Sequence, residues 1–317
     1  MSFQLLLHGY QRRQIQHGNK YCSDSGNINT SGGDGPVREF ITILLVVIFA
    51  PILGGLLNGL DRKITARMQG RVGPPLLQPF YDLFKLFGKE KIIVNQRQIL
   101  WAIAYLVLIV TSLTMLFLGS DLLILVFVMA LAAICFVLGG FSSKSPYSHI
   151  GSQRELLQML AYEPVLILLA IGVYVTNGSF LIKDIWTRPE PLLYSLPLVF
   201  VAVLIILTIK MRKSPFDLST SHHGHQELVK GITTEYSGPY LALIELTHMY
   251  ELILILGLVT LFWIRPLWMG LILAFISFFI ELVIDNICAR MTWSWMLKIT
   301  WIGGMMLCLV NIGFKFI

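Results

Sequence analysis

The sequence predicts an all-α integral membrane protein with about eight transmembrane helices and one amphipathic helix on the membrane surface. Two observations fix that class. Of the 317 residues, 56% are hydrophobic and only 13% charged, and the mean hydropathy is +0.73. That is more apolar surface than a soluble core of this size can hide. The apolar residues also fall in runs of roughly 20, the length needed to cross a bilayer as a helix, and Lys and Arg concentrate in particular loops between the runs.

In chain order, residues 1–37 form a polar tail rich in Gly, Ser and Asn, with no apolar core long enough for a signal peptide. Residues 38–317 are expected to form a single transmembrane domain. Its apolar runs are 40–60, 99–118, 122–141, 156–177, 192–210, 240–264, 267–288 and 297–316. Lys and Arg concentrate in the loops after the first, third, fifth and seventh runs. The positive-inside rule therefore puts those loops in the cytoplasm and both termini outside, in a multi-pass protein of the cell membrane.

The charged stretch 61–90 organises the rest. Read as a helix, it places Lys63, Arg67 and Arg71 on one face at four-residue spacing until Gly73, Pro74 and Pro75 break it. Leu76, Phe80, Leu83, Phe84 and Phe87 then repeat at helical spacing opposite Asp82, Lys85 and Lys89, the pattern of a helix lying along a membrane. Two readings stand side by side. One is a basic loop that only orients the chain; the other is a docking surface for a soluble partner formed by Arg71, Gly73 and Gln78 with the Asp82 and Lys85 charges.

Carboxylates within the spans carry the chemistry. Glu163 precedes Pro164, whose missing N–H frees a carbonyl one turn earlier and opens a place for water. Glu155 lies near Arg154 and suits either function or a structural ion pair. Glu245 and His248 share a face of the sixth run, and Glu251 occupies another. Glu281 and Asp285 stand one turn apart in the seventh, ahead of Arg290. Such groups can relay protons, and salt bridges to loop cations are the plainer alternative. The loop 213–237 adds Asp217, Glu227 and Glu235 with His222, His223 and His225, a solvated or partner-facing cluster in preference to a metal site. Cys22, Cys135, Cys288 and Cys308 have no metal-ligand spacing. Without a phosphate loop, nucleophile elbow or HExxH motif, no cofactor, metal or catalytic centre is expected in this chain. Nucleic acid is not an expected partner.

The runs ARMQGRVGP, LLQPFYDLFKLFGKE, SPFDL, ELVKG and EYSGPY together resemble the membrane subunit shared by respiratory complex I and the membrane-bound energy-converting [NiFe] hydrogenases, from about residue 39 to the C-terminus. Only Pro75 and Leu76 separate Pro74 from Leu77 and Gln78, and the loop after Asp217 carries His where the complex I branch is acidic. Both departures resemble the Ech-type hydrogenase branch. The resemblance implies a noncatalytic anchor and ion-translocation coupling subunit of a ferredoxin-dependent, hydrogen-evolving complex. Its partners would be the hydrogenase large and small subunits, a ferredoxin-type iron–sulfur subunit and an antiporter-like membrane subunit, with the [NiFe] centre and iron–sulfur clusters held by those partners. By motif, Arg67, Arg71, Gln78, Asp82 and Lys85 would serve docking. Asp217, Glu227 and Glu235 would open an acidic path through Glu163, Glu245 and Glu281, with Glu251 and Asp285 beside it. A quinone-site subunit of a complex I-like oxidoreductase and a standalone ion transporter are the alternatives.

Overall fold

The structure is a computed structural model, and it describes residues 34–93, 95–216 and 231–315. Asp217, Glu227 and the three loop histidines lie outside the described residues. Two units make up the chain: Met1–Ile41, whose described residues begin the first helix, and Thr42–Ile317, which holds the rest.

The described residues form helices and no strand. The α-helices are α1 (Asp34–Met68), α2 (Gln78–Phe87), α3 (Gln96–Leu118), α4 (Leu122–Phe141), α5 (Pro146–Asn177), α6 (Ile182–Thr187), α7 (Leu192–Ser195), α8 (Pro197–Lys210), α9 (Gly238–Thr260), α10 (Leu267–Ile287), α11 (Trp293–Lys298) and α12 (Met306–Gly313). A π-helical segment, Ile299–Met305, joins the last two. Seven helical stretches among the described residues are long and apolar enough to cross a membrane. The chain is an all-α, multi-pass membrane protein, as its composition demands.

The remaining expected span, 192–210, is not one helix. Pro197 starts a new helix after Leu196, whose φ of −130° and ψ of 53° are not helical, so the run splits into α7 and the 14-residue α8. Two other spans exceed their expected bounds, α1 and α5. At 1.5 Å per residue, the 35 residues of α1 extend about 52 Å, well beyond the roughly 30 Å hydrocarbon layer. No breaker lies between Leu60 and Gly70, with φ +69°, so the helix carries Asp61, Lys63 and Arg67 past the apolar layer. Arg71 therefore does not continue the Lys63 and Arg67 face. It follows the helix end, where its guanidinium donates to Gln69.

Interior and peripheral helices differ in burial. Over their most apolar windows α4 is 61% buried and the α9 span 67%, against 33% for α10 and 28% for the last span. The outer two leave Leu271, Phe275, Trp301 and Leu309 uncovered by protein. Glycines set the closest approach of α1 to its neighbours. A Cβ on Gly54 would collide with the Met249 carbonyl of α9, and one on Gly59 with the Leu76 carbonyl, so α1 can pack backbone to backbone only because those side chains are absent. The amphipathic helix α2 buries Pro79 and Leu83 and packs on α9. Phe84 and Phe87 of its apolar set are left uncovered by the chain.

The long polar loops meet at one end of the helices. Lys213 pairs with Asp61 at 2.7 Å, Asn95 donates to the Ser142 carbonyl at 2.8 Å, Ser237 to that of Ile92 at 3.0 Å, and Ser214 to that of Cys288 at 2.9 Å. The connections 119–122 and 178–196 form the opposite end, tied by Leu122 N–H to Phe180 O at 2.9 Å and Ile182 N–H to Ser120 O at 3.0 Å.

Candidate functional site

Beneath the looped end, helices α3, α4, α5, α8 and α9 enclose charged side chains. The apolar run of α8 ends in Lys210, and the turn that follows returns Arg212 to the same interior. Arg212 has φ +52°, alone among the described non-glycine residues in being positive. A side chain held there carries a backbone cost of about 1–2 kcal/mol. Lys210 Nζ lies 2.9 Å from Glu251 Oε1 of α9. Arg212 reaches Glu155 of α5 at 3.2 Å and the other Glu251 oxygen at 3.6 Å, and it contacts His248. Tyr105 of α3 donates to Glu251 Oε2 at 2.9 Å.

Aromatic rings close the cluster. Arg212 stands over Phe136 at 5.1 Å and Lys210 over Tyr162 at 4.2 Å. Tyr105 stacks on Phe136 at 4.9 Å, with the His248 ring edge-on to both. Two cations thus face two carboxylates with about 5% of the Lys210 and Glu251 side chains exposed. Burial opposes the charge of Arg212, but Glu155, Tyr105 and Glu251 outweigh it and hold the guanidinium above the ordinary arginine value. Pairs like these add little stability over apolar side chains, and removing one partner strands the other. Glu155 Oε2 has no hydrogen-bond partner among the described residues, so the cluster retains an open acceptor.

The next residue turns the other way. Lys213 leaves the cluster, pairs with Asp61 and lies over the Phe278 ring at 5.6 Å. Ser214 N–H donates to Asp285 Oδ1 at 2.9 Å. One turn up α10, Glu281 is fully buried. Thr208, Lys213 and Asp285 are its polar neighbours, yet neither carboxyl oxygen makes a hydrogen bond of normal geometry among the described residues. Residues 210–214 are therefore a hub, with one branch to Glu155 and Glu251 and the other to Asp61, Glu281 and Asp285.

A match to the family described as NADH dehydrogenase covers residues 41–315. The chain belongs to the NADH dehydrogenase family. It is 34% identical over 223 residues to a subunit of the NADH-quinone oxidoreductase of Bacillus mycoides (strain KBAB4), and 32% identical over 223 residues to the corresponding subunit of Bacillus cytotoxicus (strain DSM 22905 / CIP 110041 / 391-98 / NVH 391-98). Each match covers 63% of this chain and 66% of the relative, a little under two thirds of the relative's length. Among solved structures, a chain of the membrane-bound sulfane sulfur reductase, an archaeal respiratory membrane complex, is similar with a TM-score of 0.80 and 25% identity, over 88% of this chain and 99% of that one.

In this NADH dehydrogenase family chain, the acids expected from the sequence are distributed unevenly. Glu251 is central to the cluster, and it shares Arg212 with His248 although helical spacing sets it apart from Glu245. Glu155 pairs with Arg212 across 57 residues. Glu163 is half-buried, and Lys210 is the cation that acts on it. The carbonyl that Pro164 frees, Leu160 O, is not left for water: Trp301 Nε1 donates to it at 3.2 Å. Glu245 lies half-buried on α9, and Glu235 lines a small cavity at the looped end.

The basic stretch is partly self-engaged. Asp82 pairs with Arg62 at 2.7 Å and accepts from Gln78 at 2.9 Å, while Arg67, Arg71 and Lys85 are exposed. Sequence reasoning missed Lys210, Arg212 and Tyr105 as site residues. The usable signal was a lysine at the end of an apolar run with an arginine two residues on.

Proposed function

We propose that this chain is the noncatalytic membrane anchor and ion-translocation coupling subunit of a complex I-like respiratory complex, with its looped end in the cytoplasm and both termini outside. The observation that carries the reading is the buried cluster of Lys210 and Arg212 with Glu155 and Glu251. Each charge there is held by its neighbours, so a change of protonation at one site shifts the balance at the rest. Through Lys210 the cluster borders Glu163. Through the 210–214 hub it borders Asp61, Glu281 and Asp285. Asp217, Glu227 and Glu235 form the cytoplasmic opening of the path, and Glu245 lies along it. Arg67, Arg71 and Lys85 present exposed cations for a soluble subunit, with Gln78 and Asp82 fixing the surface through Arg62.

The docked module in this proposal is a ferredoxin-fed, hydrogen-evolving [NiFe] hydrogenase: large and small subunits, a ferredoxin-type iron–sulfur subunit and an antiporter-like membrane neighbour. The short run from Pro74 to Gln78 and the His-bearing loop after Asp217 favour it over a quinone-reducing module. Those partners supply the [NiFe] centre and the clusters, and this chain supplies the membrane path. Purification of the intact complex with measurement of nickel tests the assignment. Nickel in proportion to this subunit is the expected result. A complete assembly without nickel, photolabelled near Arg71 by a quinone analogue, would replace the hydrogenase with a quinone-reducing module.

A further inference from the structure

The charged cluster does not account for a second group of buried polar atoms. At the looped end a cavity is lined by Asn95 and Gln98 at the start of α3 and by Glu235, Tyr236, Ser237 and Tyr240 at the start of α9. Gln98 is 4% exposed and Tyr236 6%. The two side chains are close enough to influence each other, yet neither Gln98 Nε2 nor Tyr236 Oη makes a hydrogen bond of normal geometry among the described residues. A dry unpaired polar group of this kind is destabilising, because its lost hydration is not replaced. Burial also pushes the Tyr236 phenol above its ordinary pKa, so the hydroxyl keeps its proton and can donate as well as accept.

The neighbouring polar groups are engaged elsewhere. Asn95 accepts from Arg97 N–H at 3.1 Å and donates to Ser142 O at 2.8 Å, and Ser237 donates to Ile92 O at 3.0 Å. What occupies the cavity must satisfy an amide donor and a hydroxyl together. The Gln98 amide donor opposes a cation, and the adjacent Glu235 carboxylate opposes an anion. The volume of about 10 Å³ is near the roughly 10–15 Å³ that a single water requires.

We infer that this cavity is a water site: one ordered water accepts from Gln98 Nε2, is hydrogen-bonded to Tyr236 Oη, and hydrates the adjacent Glu235. Glu235 and Tyr236 are consecutive, so one turn of chain delivers both the acid and the group that holds its water. Gln98, Ala102 and Tyr105 are buried along one face of α3, and Tyr105, about 10 Å further along the helix at 1.5 Å per residue, is the residue that donates to Glu251. A Cβ on Gly139 would collide with the Tyr236 hydroxyl, so that glycine makes the room the phenol occupies.

The inference rests on the proposed ion path and names the first group inside its Glu235 opening. Cryo-electron microscopy of the assembled complex, at a resolution that shows waters, tests it together with ion transport per redox turnover in Tyr236→Phe, Glu235→Gln and Glu155→Gln complexes. The expected result is density within hydrogen-bonding distance of Gln98 Nε2 and Tyr236 Oη in the unaltered complex, and a loss of transport per turnover in Tyr236→Phe. Absence of that density overturns the water site and leaves the ion path standing. Density with unaltered transport in Tyr236→Phe, but reduced transport in Glu155→Gln, overturns the role of the water alone. Unaltered transport in all three variants overturns the path and, with it, this inference.

Discussion

Trp301 shows what a single residue does in this setting. Pro164 has no N–H to give to Leu160 O, both Trp301 and Leu160 are about half exposed on the membrane-facing side, and no water is available in hydrocarbon to take the donor's place. The indole hydrogen bond answers that need from another helix. Trp301→Phe keeps an aromatic ring and removes the donor, so it should lower stability by about 1–3 kcal/mol. Thermal unfolding in detergent reads the effect, and an unchanged midpoint would refute it. Glu251 carries more. Tyr105, Lys210 and Arg212 all turn toward it, and Glu251→Gln removes the charge that holds two buried cations. The expected cost is about 3–5 kcal/mol, seen as loss of assembled complex from membranes; wild-type assembly levels would contradict the charge balance drawn for the cluster.

Between elements, glycine placement decides how closely helices pass. On α1, Gly59→Ala pushes a methyl into the Leu76 carbonyl, and overpacking of this kind costs typically about 1–3 kcal/mol. In the π-helical segment, a Cβ on Gly303 meets nothing within 4 Å, so Gly303→Ala should be neutral or stabilising by about 0.4–1 kcal/mol through the unfolded chain. Unfolding midpoints that place the two variants in the reverse order would contradict the packing of α1.

Most elements are legible in the sequence because apolar runs of bilayer length leave few alternatives. Their ends are less so: nothing between Leu60 and Met68 breaks a helix, and a change from apolar to charged residues does not mark where one stops. The 192–210 run looks like one span because its apolar content is continuous, while Pro197 cuts it in two. The acids of the site are visible as charges in apolar surroundings. Their partners are not, since Tyr105 and Glu251 are 146 residues apart and Lys210 and Glu251 are 41 apart. Helical periodicity orders residues on one helix and says nothing about which faces meet. Lys210 and Arg212 resemble loop cations that orient the chain, although the end of α8 holds Lys210 inside and the turn after it returns Arg212 there.

For the molecule as a whole, a basic, looped end and a membrane-embedded ion network meet at the 210–214 hub. A soluble module docked on Arg67, Arg71 and Lys85 would sit above α1, whose Asp61 holds Lys213, and so above one branch of that hub. Ion movement coupled to redox turnover is the property this arrangement is proposed to deliver, and Glu155 is the member of the cluster that can be neutralised with the least loss of contacts: Glu155→Gln retains an oxygen for Arg212 and leaves Glu251 in place. The most direct measurement is ion transport per redox turnover by the intact complex in sealed vesicles, with and without Glu155→Gln, in preparations matched for assembly. Transport should fall relative to turnover in the variant. Equal transport per turnover in both would contradict a path through the cluster.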